Sequence, residues 1–121
     1  MFDAQQAVAR PSDYDVEETP FGRLVWMVSG KLGNSETMTV GKCHIEPGRS
    51  NPRHYHPNCD EVLYVVRGTI EHSVENEVTV MHPGDVVSIP SGRLHNARNI
   101  GEDEVELLIS FSAPDRQTVG E

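Results

Sequence analysis

The stretch GRSNPRHYHPNCDEVLYVVRG, from Gly48 to Gly68, contains two histidines and a glutamate immediately before a run of strand-forming residues. His54 and His56 are one residue apart, and alternate side chains of an extended strand point to the same face. Both imidazoles therefore share a face if the segment is extended. The intervening PNCD sequence can turn the chain and bring Glu61 back towards them. The stretch therefore offers three candidate metal ligands on a β-scaffold, the alternative being a polar loop that contains two imidazoles.

A second stretch, GDVVSIPSGRLHNARN, runs from Gly84 to Asn99 and supplies a fourth candidate ligand, His95. This histidine also follows a turn signal, formed by Pro90 and Gly92. A single histidine is more often a surface or structural residue than a ligand. The combined spacing of the two stretches reverses this preference in favour of metal ligands. The first stretch alone is expected by chance on the order of once in ten million starting positions.

The composition indicates one soluble domain. The chain has 121 residues and a formal net charge of −9 at pH 7, which argues against nucleic acid or an anionic membrane as a partner. No apolar run approaches the roughly 20 residues that a membrane span needs. The N-terminus lacks the apolar core of a signal peptide, and Cys43 and Cys59 allow at most one disulfide. We therefore expect a cytoplasmic protein.

Short segments rich in Val, Ile, Thr and Met, separated by Gly, Pro and Asn, predict an all-β fold. We expect a flexible N-terminal arm over residues 1–20, with a short helix at residues 4–9 capped by Asp3. The β-domain is expected over residues 21–113, followed by a C-terminal tail over residues 114–121. The predicted strands are residues 23–28, 37–46, 60–67, 69–75, 77–81, 85–89 and 105–111.

The two histidine-bearing stretches resemble the two motifs of the cupin superfamily, with every fixed position present and 15 residues between them. The matching positions are Gly48, His54, His56, Glu61 and Gly68 in the first motif and Gly84, Pro90, Gly92, His95 and Asn99 in the second. The resemblance implies a single-domain jelly-roll β-barrel. It also implies that the metal ligands are His54, His56, Glu61 and His95. Within the superfamily, both stretches are most similar to the germin and oxalate decarboxylase branch.

The resemblance implies one divalent transition metal ion per chain and favours manganese or iron. Nitrogen and oxygen donors without thiolate also suit zinc, nickel and copper. Three neutral imidazoles and one carboxylate around such an ion leave a formal charge of about plus one, and about two coordination positions stay open. The site therefore suits a small, anionic substrate, bound alone or beside dioxygen.

Other residues near the motifs have weaker signals. Arg53 and Arg93 are candidates for binding a substrate carboxylate, the alternative being solvated arginines on loops. Cys59 is either a fifth donor or redox-sensitive thiol, or a small loop residue that points away. No general base is apparent once Glu61 is assigned as a ligand. The remaining histidines match no ligand position and are placed outside the site: His44, His72 and His82.

The function that these features favour is a metal-dependent dioxygenase or decarboxylase acting on a small organic acid or polyhydroxylated compound. Three alternatives stay open: a non-oxidative isomerase, lyase or cyclase using the same metal; a ligand-binding or sensing module without turnover; and a metal that only stabilises the barrel. Near-continuous apolar runs at residues 62–66 and 86–89 predict strands covered on both faces. We therefore expect a homodimer, with exchange of N-terminal strands.

Overall fold

The computed structural model describes all 121 residues as two facing antiparallel sheets. The strands are β1 (Asp15–Thr19), β2 (Gly22–Val28), β3 (Thr39–Ile45), β4 (His54–Tyr55), β5 (Glu61–Arg67), β6 (Ile70–Val74), β7 (Glu77–Met81), β8 (Val86–Ile89), β9 (His95–Asn99), β10 (Val105–Phe111) and β11 (Val119–Gly120). One sheet has the order β1-β2-β3-β10-β5-β8 and the other β11-β4-β9-β6-β7. The prediction of an all-β jelly-roll barrel is confirmed.

The core lies between the sheets and follows the period-2 alternation of the strands. In β10, Val105, Leu107, Ile109 and Phe111 are buried while the residues between them are partly exposed. The inward residues of β5 begin with Glu61, which is followed on the same face by buried leucine and valine side chains. Because that face points into the barrel, the Glu61 carboxylate is directed into the interior rather than into solvent.

Two regions outside the predicted β-domain also form strands. Asp15–Thr19, which the sequence placed in the N-terminal arm, pairs with β2 in full register, from Asp15 opposite Trp26 to Thr19 opposite Gly22. Val119–Gly120, placed in the C-terminal tail, pairs with β4. Both segments are mostly exposed and lack the apolar alternation by which strands are recognised in a sequence.

The only α-helix is α1 (Ala4–Ala7), and a 3₁₀ turn follows at Pro11–Asp13. The Asp3 side chain accepts hydrogen bonds from the backbone N–H groups of Gln5 and Gln6, as its predicted capping role requires. The helix ends at Ala7, two residues before the predicted end. A four-residue helix is far too short to cross a lipid bilayer.

Gly41 in β3 leaves room for the indole ring of Trp26. A Cβ at this position would lie 2.5 Å from Trp26 Cε3 and 2.7 Å from the Val25 carbonyl oxygen. We expect Gly41→Ala to lower the free energy of unfolding by about 1–3 kcal/mol, because the ring must shift within a closed core. Urea denaturation checks this, with Gly101→Ala as the control, since its Cβ would meet nothing closer than 3.6 Å. Equal losses in the two variants would contradict the packing account.

Candidate metal centre

Four side chains from both sheets converge inside the barrel. His54 in β4 lies directly opposite His95 in β9, His56 follows at the end of β4, and Glu61 begins β5 in the other sheet. The ligand atoms that these four residues offer all lie within 4.8 Å of one another. His56, Glu61 and His95 are buried and His54 is partly buried. The structure therefore brings together all four residues that the sequence predicted as ligands, in a cluster that could hold a metal ion.

The three histidines of the cluster are oriented by backbone carbonyl groups. A carbonyl oxygen can only accept, so each Nδ1 that faces one carries the hydrogen and donates it. The donors and acceptors are His54 and Pro52 at 2.7 Å, His56 and Gln117 at 2.8 Å, and His95 and Arg93 at 2.8 Å. In the neutral ring this leaves the Nε2 lone pair free, which is the usual arrangement of a metal-bound histidine.

The Nε2 atoms face a carboxylate oxygen at close range. Glu61 Oε1 lies 3.0 Å from His95 Nε2 and 3.2 Å from His56 Nε2. His56 Nε2 is buried and has no hydrogen-bond partner. Lone pairs at these distances repel unless a cation lies between them, and either a proton or a metal ion satisfies that requirement. The donor set therefore fits a divalent transition metal.

The charge state of the cluster suits the same role. Burial alone would raise the pKa of Glu61, but the contacts with His56 and His95 outweigh burial and hold this pKa at about 2. Burial lowers the pKa of His54 to about 4. For His95, burial would lower the pKa, but the contact with Glu61 raises it. The carboxylate is thus ionised and His54 neutral near neutral pH, while the contact with Glu61 strengthens the binding of a proton that a metal at His95 must displace.

Metal binding is expected to strengthen as the pH rises, because the metal competes with the proton on His95. In the metal-free chain, the contact with Glu61 raises the pKa of His95 above its unfolded value of 6.5. The stabilisation of the fold by this contact is therefore complete below pH 6.5 and is lost as the pH rises through the folded pKa. Glu61 stays ionised throughout, since its pKa of about 2 lies below this range. The metal-induced increase in Tm should therefore grow from about pH 5.5 to about pH 8. Thermal unfolding with and without Mn(II) measures it, and an increase that shrinks with pH would contradict the assignment.

A cavity of about 490 Å³ connects the cluster with the surface. His54, His56 and Glu61 contribute to its wall, so an ion held by them would be accessible to a small molecule. This volume is within the range of small-molecule sites, which is roughly 300–1,000 Å³. The apolar part of the wall consists of Phe21, Leu24, Trp26, Cys43, Leu63, Leu107, Ile109 and Phe111.

Neither candidate substrate arginine lines this cavity. Arg53 donates to the Glu75 carbonyl oxygen at 3.1 Å and pairs with Glu121 at 3.3 Å. Arg93 is exposed and lies 3.9 Å from the Glu75 carboxylate. The arginine in the cavity wall is instead Arg116, from the segment that the sequence described only as a tail. A lone arginine in a polar segment carries no sequence signal for such a position.

For Cys59 the structure agrees with the alternative of a small residue that points away from the cluster, whereas His72 lies closer to the cluster than expected. Cys59 is not part of the ligand cluster; it is 4% exposed and belongs to the apolar core, and burial raises the pKa of its thiol. His72, which the sequence placed outside the site, is buried with its ring stacked on that of His95 at 6.2 Å between centres. His72 follows buried Ile70 by two residues in β6 and therefore shares its inward face. The alternation of that strand was the sequence signal that His72 is buried.

Residues 115–121, which we call the C-terminal strap, frame the cluster from one side. In the strap, β11 pairs with β4, and Gly120 lies opposite His54. Gln117 supplies the carbonyl oxygen that orients His56. The Asn58 side chain ties the strap to the loop between the ligands, donating to the Asp115 carbonyl oxygen at 3.0 Å and accepting from Gln117 N at 2.9 Å. The strap is therefore part of the site.

Comparison with known proteins supports this description. A germin-like protein 3-3 of Oryza sativa subsp. japonica is 29% identical over 110 residues, which are 82% of this chain and 48% of that protein. The Streptomyces cyaneus polyketide synthase CurC is 30% identical over 73 residues, 60% of this chain and 47% of that protein. The chain spans less than half the length of these curated relatives.

Solved structures of oxalate decarboxylases share the fold. The Lactobacillus farciminis enzyme in complex with formate has a TM-score of 0.83 at 25% identity, covering 90% of this chain and 34% of its own. A Bacillus subtilis oxalate decarboxylase has a TM-score of 0.82 at 24% identity, covering 92% of this chain and 31% of its own. The sequence profile of the cupin domain matches residues 41–111, more than half of the chain. The chain is therefore a member of the cupin family.

Proposed function

We propose that this cupin is a metal-dependent enzyme that acts on a small organic acid or polyhydroxylated compound, by decarboxylation or dioxygenation. The observation that carries the proposal is the convergence of three carbonyl-oriented histidines and one ionised glutamate on a single point beside an open cavity. His54, His56, Glu61 and His95 would hold one divalent ion. Manganese is favoured, since Mn(II) centres are described for the similarly folded Bacillus subtilis oxalate decarboxylase.

A bound metal would supply a Lewis acid to the cavity. The residues of the chain orient the ligand atoms and place apolar surface beside them. Leu63, Leu107 and Phe111 line the wall together with Glu61, and apolar surface lowers the local dielectric constant and so strengthens electrostatic interactions at the centre. Because Glu61 would serve as a ligand, a side-chain acid or base would have to come from the rest of the cavity wall, which Glu17 and Glu18 also line. Release of carbon dioxide leaves a carbanion that takes up a proton, and a protonated carboxyl group of the wall or water would supply it.

The proposal is tested by assaying protein reconstituted with Mn(II) or Fe(II) against a panel of organic acids, catechols and polyols. Oxygen uptake identifies dioxygenation, and release of carbon dioxide without net oxygen uptake identifies decarboxylation. The Glu61→Gln variant controls for free metal. Full metal loading with no turnover on any compound would contradict an enzymatic role and leave a binding module.

The second candidate is a non-oxidative isomerase, lyase or cyclase that uses the same metal. The 30% identity with a polyketide synthase polypeptide favours retaining it. The same panel distinguishes the two, because this chemistry yields a rearranged or cleaved product with neither oxygen uptake nor carbon dioxide.

We also propose that the protein is a homodimer that buries the outer face of β5 and β8. Val62 and Val66 are each 42% exposed and Val86 is 60% exposed on this face, with Tyr64 between them. Burial of such a patch stabilises association. Light scattering after size exclusion should give twice the 13.4 kDa chain mass, and Tyr64→Glu should shift it towards the monomer. A monomer mass for the wild type at micromolar concentration would contradict the proposal.

A further inference from the structure

Arg116 is held rigidly in the wall of the metal cavity. Its guanidinium carbon lies 4.2 Å from the centre of the Trp26 ring and 5.2 Å from that of Phe111. Nη1 donates to Thr118 Oγ1 in the same strap. Stacking on two aromatic faces fixes the plane of the guanidinium group and therefore the directions of its N–H donors.

No carboxylate forms an ion pair with Arg116, although Glu61 and Glu17 in the same cavity wall are near enough to raise its pKa. Burial lowers the pKa of Arg116, but an arginine remains protonated at neutral pH. A partly desolvated, always charged group with unused donors is costly unless something pairs with it. It is also the only lysine or arginine in the cavity wall.

Arg116 and the metal cluster both lie close to the Phe111 ring. The centre of the Phe111 ring is 5.0 Å from that of His56 and 5.2 Å from the Arg116 guanidinium carbon. Thr118 Oγ1, which accepts from Arg116, lies 3.3 Å from His56 Nδ1. The cavity thus has two separate positions for negative charge, one at the cluster and one at the guanidinium group.

We propose that Arg116 binds the far carboxylate of a two-ended substrate whose near end lies at the metal, so that the substrate class is a small dicarboxylate or a hydroxy acid with a second carboxylate. The inference rests on the proposed function for the metal-bound end. A planar guanidinium group pairs with a carboxylate through two parallel hydrogen bonds. The apolar side chains of the cavity wall suit the short carbon chain of such a compound.

The test compares dicarboxylates with monocarboxylates of equal length, from malonate and propionate to adipate and hexanoate. Calorimetry on Mn(II)-loaded protein gives the affinities. Fluorescence of Trp26, the only tryptophan, reports whether a ligand reaches the stacked arginine. We expect at least one dicarboxylate to bind about 10-fold or more tightly than its matched monocarboxylate, as charged hydrogen bonds are worth that much.

Arg116→Gln should lower dicarboxylate affinity far more than monocarboxylate affinity and so remove this preference, with affinities compared at equal metal content. Arg116→Lys should keep only part of it, because lysine retains the charge and loses the paired geometry. Arg98→Gln is the matched control, since Arg98 is exposed on the outer face of β9. If Arg116→Gln is unstable, the lysine variant decides: a dicarboxylate preference equal to that of the wild type overturns the proposal.

Elemental analysis of the same samples distinguishes failure of the proposed metal-dependent function from failure of the proposed anion site at Arg116. A chain that binds no metal would refute the proposed function, and dicarboxylate-dependent fluorescence of metal-free protein, lost in Arg116→Gln, would still support the anion site. Full metal loading with no preference for any dicarboxylate, or a preference that survives Arg116→Gln, would overturn the role of Arg116.

Discussion

Glu61→Gln is expected to abolish stoichiometric metal binding. Glu61 supplies the only negative charge of the cluster, and its Oε1 lies within 3.2 Å of the Nε2 atoms of both His56 and His95. A glutamine of nearly the same shape removes that charge and leaves a weaker, neutral oxygen donor. Loss of an outer partner of a metal ligand costs about 10–100-fold in affinity, so loss of a direct ligand should cost more than about 100-fold. Competition with a chelator of known affinity measures the change.

The matched control for this substitution is Glu71→Gln. Glu71 is exposed on the outer face of β6, with its side chain opposite to buried His72 in the alternation of the strand. Glu71→Gln removes the same charge from the molecule and should leave metal affinity within about twofold of the wild-type value, since exposed charges interact weakly through water. Equal affinities for Glu61→Gln and Glu71→Gln would place the ion elsewhere.

Deleting residues 117–121 is expected to weaken metal binding by about 10–100-fold, even though none of these residues is a ligand. The deletion removes the Gln117 carbonyl oxygen that accepts from His56 Nδ1 at 2.8 Å, and with it the hydrogen bond that sets the ring's orientation. It also removes β11, which pairs with the strand that carries His54. Both losses leave ligand histidines free to rotate away from the common point.

Deletion of residues 2–9 is the control for truncation, because α1 has no buried residue and supplies none of the four clustered side chains. Asn58→Ala should have a smaller effect of the same sign, since it removes only the two hydrogen bonds that tie the strap to the ligand loop. If the shortened chain binds metal as tightly as the wild type, the strap plays no part in organising the ligands.

The clustering of these four side chains was predictable from sequence because the two stretches that contain them resemble the two cupin motifs, and local patterns agree with that resemblance. The period-2 spacing of His54 and His56 places them on one strand face, and the turn before Glu61 is short enough to return the chain. The cross-strand pairing of His54 with His95 then completes the set. Strong alternation also identified β5 and β10, whose inward residues build the core.

The strap and the N-terminal edge strand were not predictable for the opposite reason. The hydrogen bond between His56 and Gln117 joins residues 61 positions apart, and a two-residue strand has no periodicity to detect. Arg116 gains its position from stacking on Trp26, which is 90 residues earlier in the chain. Contacts of this kind depend on the closed barrel, so local propensity contains no information about them.

The most direct test of the metal assignment is an anomalous difference map from crystals of the protein reconstituted with Mn(II). We expect one strong peak per chain, about 2.0–2.3 Å from the Nε2 atoms of His54, His56 and His95 and from a carboxylate oxygen of Glu61. The peak should be absent from crystals of Glu61→Gln grown in the same way. A wild-type map with no peak among these four side chains, or with the peak bound by other residues, would contradict the account.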